Sequence, residues 1–269
     1  MKKFLVVLFT LFATYALAAN QAPPRPIGTC NLEAPYGLPS TQKDHPVICR
    51  LGYVLEHDPV AKIPNWVAWT VEPNQEIGCT PRDDAFAADQ SLPADKRAEP
   101  KDYAGTGYDQ GHLANNADLS YDAATAKESF YMSNMSPQLP ALNRGTWKNL
   151  ESATRAWVHQ TKHPHTVYAG NIFTVSSKKI GDSKVVVPDV LFKIVIDGTL
   201  KVSYAYLMPN KTDIDSDFNK YQVTVAEVEK ATGITFPVPD AKTSKTKPPV
   251  PDLKTIADDK KKVCKISVD

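Results

Sequence analysis

The chain has 269 residues, 42% of them hydrophobic and 23% charged, with 31 basic side chains against 30 acidic ones. This is ordinary globular composition, and the length fits one large domain better than two. The near-zero balance excludes a strong overall field for polyanions, so any affinity for nucleic acid has to come from a local basic surface.

At the N-terminus, Lys2 and Lys3 precede an apolar run from Phe4 to Leu17 that closes on Ala16-Leu17-Ala18. Residues 1–18 therefore read as a secretory signal peptide. The run is short for a membrane anchor, and no later segment is apolar enough to cross a bilayer. Loss of Lys2 and Lys3 on cleavage leaves 29 basic residues against 30 acidic. The expected product is secreted or periplasmic, with no membrane attachment.

Residues 19–50 are rich in Pro, Gly and polar side chains and read as an irregular N-terminal segment fastened by a disulfide. The four cysteines, Cys30, Cys49, Cys79 and Cys264, allow three pairings in an oxidising compartment. Cys30–Cys49 is favoured as a local clip, which leaves Cys79–Cys264 to tie the C-terminal tail to the body. No pair has C-x-x-C spacing, which argues against a metal site.

Residues 51–235 form the main domain. Tyr53 to Leu55 and Trp66 to Val71 predict strands by their aromatic and β-branched content. Residues 72–107 carry many Asp, Pro and Lys residues and predict a long loop of functional interest. From Asn143 to about Gln160 the pattern is helical, with Leu150, Ala153, Trp157 and Val158 on one apolar face. Further strands are expected at Val167–Phe173, Val190–Asp197 and Lys201–Leu207, with Asp197-Gly198 marking a hairpin. Thr224-Val225-Ala226-Glu227 is a capping box that starts a helix ending at Gly233. Residues 236–269 read as a Pro/Lys-rich tail, extended from Phe236 to Pro251. Strands and helices without regular alternation predict an α+β fold.

The chemistry concentrates between Tyr108 and Arg155. In Asp109-Gln110-Gly111-His112, Gly111 permits a close approach that a Cβ would block. His112 is a candidate general base, because a neutral imidazole accepts a proton near neutral pH. Asn143, Trp147, Glu151 and Arg155 step by four along one side of the predicted helix. A carboxamide followed two turns later by a carboxylate can hold one hydrated hard cation such as Mg²⁺. Taken singly, these residues are also what a turn, a helix cap and a solvated helix face would supply. Arg144, Lys148, Arg155 and Lys162 offer a local basic track. His159, His163 and His165 lack a completing ligand set for zinc, since Pro164 interrupts any helix there. Ser133 and Ser136 lack the G-x-S-x-G elbow of a serine hydrolase.

Asp109-Gln110-Gly111-His112, Ser133-Asn134-Met135-Ser136-Pro137-Gln138, Leu142-Asn143-Arg144-Gly145-Thr146-Trp147 with Leu150-Glu151, and the block from Val223 to Gly233 occur in that order. Together they resemble the DNA/RNA non-specific endonucleases of the ββα-metal superfamily, from about Trp66 to about Gly233. The resemblance implies a ββα-metal core with a central antiparallel sheet flanked by helices. It implies a Mg²⁺-dependent (alternatively Mn²⁺-dependent) endonuclease acting on DNA or RNA with little sequence specificity and leaving 5′-phosphate ends. By residue, it implies His112 as general base, Asn143 as the direct metal ligand and Glu151 as the acid that holds metal-bound waters. Gln138 and Arg155 match positions lining the substrate cleft, with Gln110 and Arg144 as further substrate-side positions. Arg82 is the candidate phosphate-contacting arginine, with Arg97 as its alternative. One departure stands out: the family usually carries Arg where this chain has Gln110, which hydrogen-bonds but has no charge. An exported nucleic-acid-binding protein on a weakened nuclease scaffold is the competing reading. An inhibitor or immunity protein is the partner expected besides the nucleic acid.

Overall fold

The chain buries its β-branched and aromatic runs as strands in a computed structural model that describes residues 21–238 and 243–265. The signal peptide expected at 1–18 lies outside the described residues. Strands β1 (Val47–Cys49), β2 (Val54–Asp58) and β3 (Ile63–Val71) come first. They are followed by β4 (Asp109–His112), helix α1 (Asn116–Leu119), helix α2 (Ala123–Glu128) and β5 (Met135–Gln138). A wide π-type turn over Leu142–Trp147 runs into helix α3 (Lys148–Thr161). Next are β6 (His165–Ile172), the short β7 (Lys179–Ile180) and β8 (Val185–Val186), then β9 (Val190–Asp197) and β10 (Val202–Pro209). The described chain closes with β11 (Gln222–Val223), helix α4 (Val225–Thr232) and helix α5 (Leu253–Val263).

Seven strands pair in the order β1-β2-β3-β6-β9-β10-β11, antiparallel throughout. Period-two alternation splits the central strands between two cores. Val67, Trp69 and Val71 of β3 join Leu150, Ala153 and Trp157 of α3 on one face. Trp66 and Ala68 join Val225 and Val228 of α4 and Phe236 on the other. Burial on both faces explains why β3 and β9 read as almost continuous apolar runs rather than as alternating ones. Each fully buried large side chain contributes about 1.5–3 kcal/mol.

The expected apolar face of α3 is fully buried. The expected cap of α4 also forms: the Thr224 hydroxyl accepts from the Glu227 amide, and Gly233 ends the helix at φ +72°. Asp197 closes the β9–β10 hairpin by accepting from the Thr199 and Leu200 amides at 2.9 and 3.0 Å. Residues 72–107 hold only two short 3₁₀ turns, Ala94–Lys96 and Pro100–Tyr103. Both disulfides pair as expected, Cys30–Cys49 and Cys79–Cys264.

The tail holds a helix beyond the segment expected to be extended. Within 236–269 lies the eleven-residue α5, started by the Asp252 side chain accepting from the Thr255 amide. It docks on α3. Trp157 Nε1 donates to the Pro249 carbonyl at 2.9 Å, and Cys264 bonds back to Cys79.

Apart from the main sheet, β4 and β5 form a two-stranded ribbon. Ribbon, π-type turn and α3 make the ββα unit, so the fold is α+β of the ββα-metal type.

Candidate active site

A cleft of about 540 Å³ opens where the ribbon meets α3. Arg82, Gln110, His112, Asn143, Arg144, Lys148, Glu151 and Arg155 all line it. Seven of the eight polar residues singled out around the ββα unit therefore converge, Gln138 being the exception, and Arg82 joins them from the long loop. Arg97 does not. It pairs with Glu99 at 3.0 Å and donates to the Leu92 carbonyl, away from the cleft.

His112 ends β4, and its position is fixed through its backbone. Its carbonyl accepts from Trp147 Nε1 at 3.2 Å, which ties the strand to the start of α3. Leu113 and Ala114 follow, held by the Asn134 carbonyl and side chain at 3.0 Å each. The imidazole stands edge-on to Phe130 with centroids 4.9 Å apart, and tilted against Phe86 at 5.6 Å. Its Nε2 is buried without a hydrogen-bond partner among the described residues. Burial, reinforced by the Arg82 charge, pushes the imidazole pKa down to about 3. The ring is thus neutral at any pH near 7.

Gln138 is a correction. Its motif position implies a place on the cleft wall, but β5 pairs with β4 in a register that sets Gln138 opposite Asp109 and buries it completely. Its amide reaches toward the His112 carbonyl at 3.5 Å, packed across Gly111. A Cβ at Gly111 would collide with that carboxamide, so the glycine serves the close approach between the two strands. The Ser133–Gln138 block is likewise internal. Ser133 donates to Asp89 and Ser136 to Asn171, both at 2.6 Å.

Asn143 sits in the π-type turn, where Gly145 leaves helical geometry at φ −108° and ψ −106°. Such turns inside helices recur at functional sites. Asn143 Nδ2 donates to Asp109 Oδ2 at 2.9 Å, which turns the amide oxygen away from Asp109. Arg144 grips the same carboxylate through Nε and a terminal nitrogen at 2.8 and 2.6 Å. Burial alone would raise the Asp109 pKa, but these hydrogen bonds hold it below the usual carboxylate range. Gln110 donates weakly to the Pro100 carbonyl at 3.3 Å. Arg144, held by Asp109, lines the cleft together with the uncharged Gln110.

The far wall is a network of buried charges. Arg155 donates to Asp118 at 2.8 Å and to Asn115 at 3.0 Å. Asp118 also accepts from Trp69 Nε1 at 2.8 Å. Glu151 stands 3.8 Å from Lys193, whose ammonium lies 4.1 Å from the centre of the Trp147 ring. Burial raises the Glu151 pKa, with Lys193 and Arg155 pulling against it. Burial lowers that of Lys193, with Glu151 opposing.

Asn115, Asn116, Asp118 and Lys193 were not singled out from the sequence. The first two belong to a short α1 cap that any Asn can supply. Lys193 did carry a signal: it is the lone charge inside Val190-Leu191-Phe192-Lys193-Ile194-Val195-Ile196. Lys162, expected in the basic track, instead lies 3.7 Å from Glu76 and outside the cleft. His159 and His163 pair with acids, Glu76 and Asp259 for the first and Asp197 for the second.

A family profile described as DNA/RNA non-specific endonuclease matches residues 34–241. The chain belongs to that family. It is 34% identical to a nuclease of Nostoc sp. over 205 residues, covering 72% of this chain and 73% of the relative. It is 32% identical to human mitochondrial endonuclease G over 219 residues, covering 76% and 72%. Among solved structures it is similar to endonuclease G in the complex titled EndoG/EndoGI, with a TM-score of 0.72 and 26% identity over 81% of this chain and 94% of that one. This nuclease is therefore a hydrolase of a divalent-metal-dependent family. The carboxamide of Asn143 and the carboxylate of Glu151 on the cleft wall are oxygen donors, a pairing that would suit a hard cation keeping much of its own water. Two disulfides suit an oxidising compartment, and no helix among the described residues is long and apolar enough to cross a membrane.

Proposed function

We propose that this nuclease is a secreted or periplasmic, Mg²⁺-dependent endonuclease that cuts DNA or RNA with little sequence preference and leaves 5′-phosphate and 3′-hydroxyl ends. The observation that carries the reading is a buried, unprotonated His112 with an unpartnered ring nitrogen, lining the same cleft as Arg82 and Asn143.

In this reading, His112 takes a proton from the attacking water as oxygen bonds to phosphorus and the bond to the 3′ oxygen breaks. Solvent returns a proton to the departing 3′ oxygen, giving the hydroxyl. Arg82 faces the phosphate and offsets the charge that builds on its free oxygens. Asn143 and Glu151 would hold the cation. When bound, Mg²⁺ (or Mn²⁺) would supply Lewis-acid stabilisation to the phosphate and to the leaving oxygen. Gln110, Arg144, Lys148 and Arg155 would guide the backbone of the strand, and contacts to phosphate carry little base information. An inhibitor or immunity protein that covers the cleft belongs to the same proposal. It is motivated by the complex in which endonuclease G is held.

Plasmid cleavage with Mg²⁺, and again with EDTA, tests the reading. Wild type should nick and linearise the plasmid only with the metal. His112→Ala should lose activity by about 10²–10⁴-fold while folding normally. Asn143→Ala should need more Mg²⁺ for the activity it keeps. A folded wild type that binds DNA yet cleaves under no metal condition would instead support the weakened-scaffold alternative, which the uncharged Gln110 favours.

A further inference from the structure

The matched family region ends at residue 241, and α5 lies beyond it. This helix is fixed in place three ways. Cys264 is bonded to Cys79, the Pro249 and Val250 carbonyls accept from Trp157 and Gln160 of α3, and Asp259 pairs with His159 at 3.2 Å. An appended helix held by a disulfide and by side chains of α3 keeps a fixed relation to the cleft.

Between α5 and α3 lies a notch of about 250 Å³. It shares Arg155 and Ala117 with the cleft, so the two adjoin at those residues. Leu253, Ile256 and Ala257 form an apolar side, and Lys260 joins Arg155 among the lining residues. Lys261 and Lys262 face acids of their own helix, at 3.8 Å to Asp258 and 3.0 Å to Asp259. Lys260 has no ion pair among the described residues, and it is half-buried near a second cation. Burial and the Arg155 charge both lower its pKa. Glu76 also lines the notch, but it already pairs with His159 and Lys162. The ammonium of Lys260, beside Arg155 (itself held by Asp118) and an apolar surface, matches a sugar–phosphate backbone, whose carbons and phosphate oxygens ask for that combination.

We infer that α5 extends the substrate-binding surface, and that Lys260, with Arg155, takes a second backbone phosphate of the nucleic-acid strand beyond the one at His112. The inference rests on the nuclease reading of the cleft.

Binding of a labelled DNA duplex is measured by anisotropy in EDTA, over a salt series, so that no cleavage is involved. Lys260→Ala should weaken binding by about three- to tenfold and make the salt slope shallower by about one phosphate contact. Lys261→Ala, on the self-paired side, should leave both unchanged. Hydrolysis of a small monophosphate diester with Mg²⁺ should be equal in wild type and Lys260→Ala, because that substrate has no second phosphate. Melting temperatures check that each variant folds. A wild-type slope for Lys260→Ala, or an equal loss for Lys261→Ala, overturns the inference while leaving the cleft reading intact. Absence of cleavage by wild type would strike the nuclease reading instead, since the duplex measurement does not depend on it.

Discussion

The two walls of the cleft solve the problem of burying a titratable group in opposite ways. On the ribbon wall, His112 is packed against Phe130 and Phe86 with no acid beside it, and burial keeps it neutral. On the α3 wall, Glu151 is packed against Lys193, while Arg155 bonds to Asp118. Desolvation acts on both. The first wall yields an imidazole held unprotonated, and the second a set of charges that stand only together. Activity and stability should therefore separate between the walls, with His112 carrying the first and the α3 network carrying both.

The largest test of that separation is Lys193→Met. The methionine keeps the length of the side chain and its place against Trp147 but removes the ammonium. Glu151 and Asp118 then keep Arg155 alone. Removing one partner of a buried ion pair typically costs about 3–5 kcal/mol. Denaturant melts should register a loss of that order at neutral pH, where an unbalanced Glu151 must lose charge or find water. His112→Ala removes no charge at that pH and should melt much closer to wild type. A Lys193→Met variant as stable as wild type would mean that the network is not a unit.

Arg82→Ala is the next test and returns to the ribbon wall. Arg82 is half exposed and pairs with Asp84 at 2.7 Å, with its guanidinium 5.2 Å from the Phe130 ring. An exposed pair of this kind contributes little to folding. Loss of a cation facing the phosphate should lower kcat by about 10²–10³-fold. The signature is a large kinetic effect with a melting temperature within a degree or two of wild type. If Arg97→Ala shows the larger kinetic loss, the phosphate contact has been assigned to the wrong arginine.

How far the sequence revealed these walls depends on the kind of signal each one used. The sheet and α3 were legible because burial imposes periodicity, and Leu150, Ala153, Trp157 and Val158 follow it. The four-residue strands β4 and β5 were not, because Asp109-Gln110-Gly111-His112 and Met135-Ser136-Pro137-Gln138 carry polar residues and a proline where a strand signal would sit. That gap also misplaced Gln138, whose burial depends on a register that no local pattern fixes. Helix α5 escaped notice because its few apolar residues, such as Leu253, Ile256 and Ala257, sit among many lysines and aspartates in a Pro/Lys-rich stretch, and a disulfide with contacts to α3 helps to hold it. Of the four motif blocks, the one around His112 and the one from Asn143 to Glu151 line the cleft, whereas Ser133–Gln138 is buried inside and Val223–Gly233 does not line it. The partners that make it work, Lys193 and Asp118 above all, lie in segments whose role appears only once the chain is folded.

The smallest effect is the most specific, and it concerns pH. His112 is pushed from its ordinary 6.5 to about 3, first by burial and then by Arg82. The folded protein therefore resists a proton that the unfolded chain accepts below about pH 6.5. The unfolded state binds more protons in that window, so this group's contribution to stability is present above pH 6.5 and is lost as pH falls toward 3. For catalysis, the same shift keeps the base unprotonated, so His112 should give kcat/KM no acid limb near 6.5. Phe86→Ala is the change that breaks this arrangement. Phe86 is only partly buried, so its loss should open one side of the imidazole to water while the buried Phe130 still covers the other. Rehydration lets the ring hold a proton more readily, and the variant should gain an acid limb that moves upward toward 6.5. Arg82 remains in place and keeps it somewhat below that value. Rate profiles from pH 5 to 8 at saturating Mg²⁺ measure this. Superimposable profiles for the two proteins would show that the aromatic wall does not set the state of the base.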